Sequence, residues 1–89
     1  MRTVKLYGER MTNNEAAHRY IQEQLEIPSY YGYNLDALYD ALSVYDKDLS
    51  IMLINKPELI AHLGPYGERL VQTFMDVEKV NRNIKVKVI

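Results

Sequence analysis

Apolar residues recur along the chain with two periods, one of about two residues and one of about three to four. The shorter period predicts three strands. Val4 and Leu6 alternate with polar residues, which predicts a strand over residues 1–7. Residues 49–54 (LSIMLI) are apolar almost throughout, as expected of a central strand covered on both faces of a parallel sheet. Alternation returns at the end of the chain, where lysines separate Ile84, Val86 and Val88.

The longer period predicts helices between these strands. The first is expected over about residues 13–24, opened by a capping box of Thr12 and Glu15 and ended by Pro28. The second is expected over about residues 35–44, with Asn34 as its N-cap. Its apolar stripe comprises Leu35, Leu38, Leu42 and Tyr45.

Two further helices follow the second strand. Asn55 and Pro57 begin a short helix that Gly64 ends, and another helix carries Phe74 on its buried face. The order β-α-α-β-α-α-β, with right-handed crossovers, predicts an α/β fold: a small three-stranded parallel sheet packed with about four helices. A chain of 89 residues suits one domain, residues 1–89.

Composition narrows the functional classes. The absence of cysteine excludes a disulfide framework, a thiolate zinc site and a cysteine nucleophile. The N-terminus lacks the apolar region of a secretory signal, and no apolar run approaches the ~18 residues of a membrane span. We therefore expect a cytoplasmic protein that needs no cofactor and contacts no membrane.

Charge is distributed unevenly, although the formal net charge is only −1. Between residues 20 and 50 there are six acidic residues and a single lysine, and both ends of the chain compensate. A segment this acidic suggests a surface that faces a cationic partner, although a solvated face is the commoner origin of such a run.

The predicted second helix concentrates this charge. Asp36, Tyr39, Asp40 and Ser43 follow helical spacing on the face away from the leucines. Two aspartates four residues apart repel each other, which costs ~0.2–0.5 kcal/mol where a lysine would stabilise the helix. Tyrosines precede the helix, and Gly32 is expected to allow a positive φ among them. These tyrosines are Tyr30, Tyr31 and Tyr33.

Several interpretations of this segment remain open on the residues alone. The aspartates form a solvated helix face, or they act in acid/base chemistry or hold a divalent metal, or they bind a cationic site on another protein. The metal and catalytic interpretations lack converging ligands or a nearby nucleophile. His18 and His62 are isolated on predicted helices, and neither is assigned a role.

The stretch YYGYNLDALYDAL, residues 30–42, resembles the signature loop and helix of the barstar family, intracellular inhibitors of barnase-type ribonucleases. The resemblance extends more weakly over the whole chain. It implies three parallel strands with four helices, and a non-enzymatic inhibitor that inserts this loop and helix into a ribonuclease active site, one to one.

Residue by residue, the resemblance implies that Asp40 replaces a substrate phosphate and that Asp36 pairs with an arginine at the rim. It places Asp76 where the family carries an acid that reaches an enzyme arginine. The other implied partner contacts are Tyr30, Tyr31, Gly32, Tyr33, Asn34, Leu35, Tyr39, Ser43 and Tyr45. Tyr33 and Val80 depart from the family, which carries acids there, and Tyr39 and Tyr45 replace tryptophans.

Two alternative functions remain open beside the inhibition of a barnase-type ribonuclease. An immunity protein against a bacterial toxin nuclease would use the same fold and the same acidic helix. More distantly, neighbouring first and last strands would align a basic stripe for nucleic acid. That stripe would comprise Lys5, Lys79, Arg82, Lys85 and Lys87.

Overall fold

Three strands form one parallel sheet. The structure, a computed structural model, describes residues 2–27 and 32–89. β1 spans Arg2–Tyr7, β2 spans Leu49–Ile54 and β3 spans Ile84–Val88. β2 lies in the centre and pairs in parallel with both neighbours. The predicted α/β fold and the central position of the second strand are confirmed.

Four α-helices connect the strands in the predicted order. α1 spans Asn14–Leu25 and α2 spans Leu35–Ser43, both between β1 and β2. α3 spans Lys56–Leu63 and α4 spans Pro65–Val80, both between β2 and β3. A 3-10 turn, Gly8–Arg10, follows β1 directly. Among the described residues, no helix is long and apolar enough to cross a membrane.

The ends of α1 differ from the prediction. Asn13 is the N-cap, and its Oδ1 accepts a hydrogen bond from the Ala16 amide at 2.8 Å. The expected capping box at Thr12 is therefore wrong, because asparagine caps a helix at least as well as threonine and stands one residue later. The helix ends in a left-handed residue, Glu26, with φ 58°. Pro28, the expected terminator, lies outside the described residues.

The helices cover only one face of the sheet. Along β2, alternate residues are fully buried, beginning with Leu49, and the intervening residues, such as Met52, are half-buried. The expectation that both faces are covered is wrong. The strands lie in the sheet in the order in which they occur along the chain, β1-β2-β3. Both crossovers therefore step in the same direction across the sheet, and two right-handed crossovers of this kind place their helices on the same face.

The predicted basic stripe does not form, because β2 separates β1 from β3. Lys5 and Lys87 both lie in register with Met52, on opposite edge strands of the less covered face. Lysine on an edge strand discourages pairing with the strand of another chain. This protective role accounts for the two lysines without a function in nucleic-acid binding.

A close backbone contact joins the end of β1 to the start of α3. A Cβ placed on Gly8 would lie 2.4 Å from the Asn55 carbonyl oxygen and 2.9 Å from the Leu59 amide nitrogen. Both obstacles are backbone atoms, so neither can rotate away. Glycine is required here by space.

We expect Gly8→Ala to lower the free energy of unfolding by ~1–3 kcal/mol, because the backbone of α3 must move to admit a methyl group. Urea denaturation measures this change. Gly32→Ala is the matched control, since among the described residues its Cβ would meet only the side chains of Ala37 and Asn34, both at 3.4 Å. Equal losses in the two variants would contradict the steric argument.

Candidate partner-binding site

The helix α2 separates its apolar residues from its acidic ones. Leu38 and Leu42 are fully buried and belong to the hydrophobic core, whereas Asp36 and Asp40 are exposed. A helix of nine residues is too short to be stable alone in water. Packing of its apolar face, chiefly against α4, therefore holds the carboxylates in place.

The N-terminus of α2 is capped as predicted. Asn34 Oδ1 accepts a hydrogen bond from the Ala37 amide at 2.8 Å. The Asn34 side-chain amide donates to the Gly32 carbonyl at 3.3 Å, which joins the preceding turn to the helix. Asp36 lies in the first turn, where the helix dipole favours a negative charge.

The C-terminus of α2 is held by a residue that sequence reasoning missed. Asn81 is buried, and its side-chain amide donates to the carbonyls of Leu42 at 2.8 Å and Tyr45 at 2.9 Å. Its Oδ1 accepts from the Asn83 amide at 3.0 Å. The sequence shows Asn81 only as a polar residue after a predicted helix. Its role at the end of α2 becomes visible only in its long-range hydrogen bonds.

The carboxylates of Asp36 and Asp40 form no ion pair within residues 2–27 and 32–89. In that part of the chain, the ion pairs join Arg2 to Glu26, Arg19 to Glu15 and His62 to Glu58. Ser43 donates to the backbone carbonyl of Asp40 at 3.0 Å, which leaves the carboxylate itself available. The two like charges of α2 are accordingly uncompensated.

A metal-binding interpretation gains no support from the described residues. Among them, no group of three or more histidine, cysteine, aspartate or glutamate side chains is placed to hold a metal ion.

The turn before α2 contains a residue in the left-handed conformation. Tyr33 has a positive φ, 53°. Tyrosine pays a steric cost there that glycine would not, and the side-chain contacts of Tyr33 offset it. Its hydroxyl donates to Gln22 Oε1 at 2.6 Å, and its ring stacks on that of His18. Tyr30 and Tyr31 lie outside the described residues.

The remaining predicted contact residues are half-buried. Tyr39 packs against the core, so it does not point away from the leucine face as expected. Leu35 and Tyr45 pack there too, and the Tyr45 hydroxyl accepts from Arg2 at 3.4 Å. Asp76 lies on α4, the helix that packs against α2, and its carboxylate accepts from Gln72 at 2.9 Å.

Beneath the turn lies His18, to which the sequence assigned no role. Its side chain on α1 is 1% exposed, and a 2.5 Å hydrogen bond joins its Nε2 to the Tyr66 hydroxyl of α4. Burial lowers the pKa of His18 below its usual 6.5, because the charged imidazolium loses hydration. Burial also raises the pKa of Tyr66 above 10.0, against an opposing effect of Arg69. Both groups are therefore neutral near pH 7.

Comparison with known proteins agrees with this geometry. The family model described as "Barstar (barnase inhibitor)" matches residues 1–89. The chain belongs to the barstar family. A Bacillus subtilis (strain 168) protein named "Putative ribonuclease inhibitor YrdF" is 31% identical over 80 residues, which cover 89% of this chain and 88% of the relative. The resemblance inferred from residues 30–42 is confirmed.

Membership of the barstar family makes this chain a ribonuclease inhibitor and not an enzyme. The family binds barnase-type ribonucleases. An acidic face without internal partners suits that role. Two features of the site, the Asn81 contacts and the buried His18, were not foreseen from the sequence.

We expect Asn81→Ala to lower the free energy of unfolding by ~1–3 kcal/mol, because it removes the donor to two carbonyls at the end of α2. Urea denaturation followed by circular dichroism measures this loss. Asn83→Ala is the matched control, because its side chain makes only a 3.5 Å hydrogen bond to the Tyr45 carbonyl. An equal loss in Asn83→Ala would contradict the special role of Asn81.

The lowered pKa of His18 predicts that acid destabilises the fold. Below pH 6.5 the histidine of the unfolded chain binds a proton that the folded chain does not yet bind. The free energy of unfolding should therefore fall as pH decreases from about 7.5 to about 5.5, before most carboxylates titrate.

Two measurements check this prediction. Urea denaturation across that pH range should show a smaller decline in His18→Gln, since glutamine does not titrate and still offers a hydrogen bond to Tyr66. Titration of the His18 ring protons by NMR should give a midpoint below 6.5. A midpoint at or above that value would contradict the effect of burial.

Proposed function

We propose that this chain inhibits a barnase-type ribonuclease by inserting α2 and the preceding loop into the enzyme's active site. The observation that carries the proposal is a pair of exposed carboxylates, Asp36 and Asp40, which form no ion pair within the described residues. They lie on a helix whose opposite face is buried and whose ends are both capped. Their partners would be cationic groups of the enzyme.

Electrostatics supports this mode of insertion. A ribonuclease stabilises the charge of a reacting phosphate with lysine, arginine and histidine. A carboxylate on a fixed helix carries like charge into that site and contains no bond that the enzyme can cleave. Asp40 would occupy the position of a substrate phosphate, and Asp36 would pair with an arginine at the rim.

The surrounding residues would frame this contact. Asn34 holds the start of the helix, and the turn at Gly32 and Tyr33 adjoins it. Asp76, on the neighbouring helix, would reach a second arginine. The remaining proposed contacts are Tyr30, Tyr31, Leu35, Tyr39, Ser43 and Tyr45.

Complex formation would be one to one, with a single domain, residues 1–89, binding a single enzyme molecule. We expect the protein to act in the cytoplasm and to use neither a cofactor nor a metal ion. Direct binding of nucleic acid is not expected, because the aromatic loop lies within an acidic segment that would repel it.

Charge would also accelerate association. Opposite charges steer two proteins together and raise the association rate, and salt screens this effect. The barnase–barstar complex is a standard example of such steering. This chain has Tyr33 and Val80 where the family has acids, so we expect its steering to be weaker or its target to be less basic.

An immunity protein against a toxin nuclease would use the same surface. The two roles differ in the enzyme that is bound, not in how it is bound. A gene for a secreted ribonuclease or for a large toxin beside this gene would separate them.

The test is a titration of the protein into a barnase-type ribonuclease that cleaves a fluorogenic RNA substrate, at low and moderate salt. We expect stoichiometric inhibition by the parent and at least ~30-fold weaker inhibition by Asp40→Asn, because a buried enzyme cation would lose its partner. Asp36→Asn, at the rim, should weaken inhibition less and reduce the association rate more.

Asp46→Asn is the matched control, because this exposed aspartate follows α2 and has no assigned contact. It should leave the inhibition constant nearly unchanged. Equal effects of Asp46→Asn and Asp40→Asn would mean that the two proteins interact only by general charge attraction, and would contradict the proposed insertion of α2. No inhibition by the parent would direct the search to a different nuclease.

A further inference from the structure

Tyr33 adopts a backbone conformation that its side chain disfavours. Its φ of 53° lies in the left-handed region, which costs a bulky L-residue ~1–2 kcal/mol relative to the usual regions. Such an outlier persists only where surrounding contacts stabilise it.

Two contacts with α1 hold the Tyr33 side chain. Its ring lies nearly parallel to the His18 ring, at 11°, with 6.5 Å between the centroids. Its hydroxyl donates to Gln22 Oε1 at 2.6 Å. His18 and Gln22 are one helical turn apart, so together they form a platform along one side of α1. Tyr33 therefore lies along α1 with about a third of its surface exposed.

The platform is itself held by α4. The Tyr66 hydroxyl is 2.5 Å from His18 Nε2, and the two rings meet edge to face with 5.8 Å between their centroids. The Arg69 guanidinium lies 5.7 Å from the centre of the Tyr66 ring. Since His18 is 1% exposed, its ring has little freedom to turn.

The contacts continue into the proposed binding helix. Asn34 follows Tyr33 directly, caps α2 and hydrogen-bonds back to the Gly32 carbonyl. Fixing Tyr33 thus fixes the entry of the chain into α2 and, with it, the first turn that carries Asp36.

We propose that His18 and Tyr66 act as positioning residues, which hold Tyr33 so that the turn before α2 is set in its binding conformation before any partner arrives. The functional consequence rests on the proposed inhibition of a ribonuclease.

The physical benefit would be preorganisation. Ordering a side chain and its turn on binding costs ~0.5–1.5 kcal/mol for each immobilised side chain. A turn that is already ordered avoids that cost, so affinity rises without an additional contact. Tyr33 would act mainly by setting the turn and only secondarily through its exposed edge.

The test combines Tyr33→Asn, Tyr66→Phe and the double variant. Asparagine tolerates a left-handed conformation, so Tyr33→Asn removes the ring without adding backbone strain. Tyr66→Phe keeps the edge-to-face ring and removes only the hydrogen bond to His18. Tyr7→Phe is the matched control, because Tyr7 is an exposed tyrosine on the first strand, outside the α1, α4 and turn residues of this contact.

Two readouts are needed: the inhibition constant against a barnase-type ribonuclease, and amide hydrogen exchange at residues 32–36. We expect Tyr33→Asn to inhibit about fivefold to tenfold more weakly and to exchange faster at these amides, with the core amides of α4 unchanged. Tyr66→Phe should shift both readouts in the same direction but less, and Tyr7→Phe should shift neither.

The double variant separates positioning from general stabilisation. If Tyr66 acts through Tyr33, adding Tyr66→Phe to Tyr33→Asn should cause no further loss of inhibition. Fully additive losses, or parent-like exchange at residues 32–36 in Tyr33→Asn, would overturn the proposal. If the parent inhibits no ribonuclease, the proposed function fails, and the exchange measurement still decides whether Tyr33 holds the turn.

Discussion

Packing of the leucine face of α2 against α4 is the contact on which the candidate site depends. Nine residues cannot hold a helix in water by their own hydrogen bonds. Burial of Leu38 and Leu42 supplies the missing stability, and Asn34 and Asn81 satisfy polar groups at the two ends. The exposed face can therefore carry residues that the packing of the helix does not require.

That freedom explains the unfavourable charge pattern. Asp36 and Asp40 repel each other and have no internal cationic partner in the described part of the chain. The cost is only a few tenths of a kcal/mol in water, which a well-packed helix can tolerate. In the proposed complex the same pair would face a cationic active site, where its charge would favour binding. The stack of Tyr33 on His18 has a comparable proposed role, because its contacts would offset the cost of the strained backbone in the turn before α2.

The one-sided sheet leaves the molecule with two unlike surfaces. The helices and the buried leucines lie on one face, and the other face presents lysines on both edge strands. The acidic segment comes from the helical layer, at α2 and the residues that follow it. The lysines of the edge strands and the aspartates of α2 therefore lie in different layers of the molecule.

Local patterns in the sequence determined most of the fold and the centre of the site. Apolar periodicity located all three strands and four helices, and Asn34 was recognisable as a cap because capping depends on neighbouring residues. The aspartate pair stood out because it breaks a rule that operates within one helical turn. Tertiary structure decided the rest. The coverage of only one sheet face follows from strand order, the role of Asn81 from a carbonyl 39 residues away, and the burial of His18 from Tyr66, 48 residues away. The left-handed conformation of Tyr33 likewise depends on contacts with α1, which no local pattern predicts. Each of these features depends on residues distant in sequence, and no local pattern encodes which distant residues will meet.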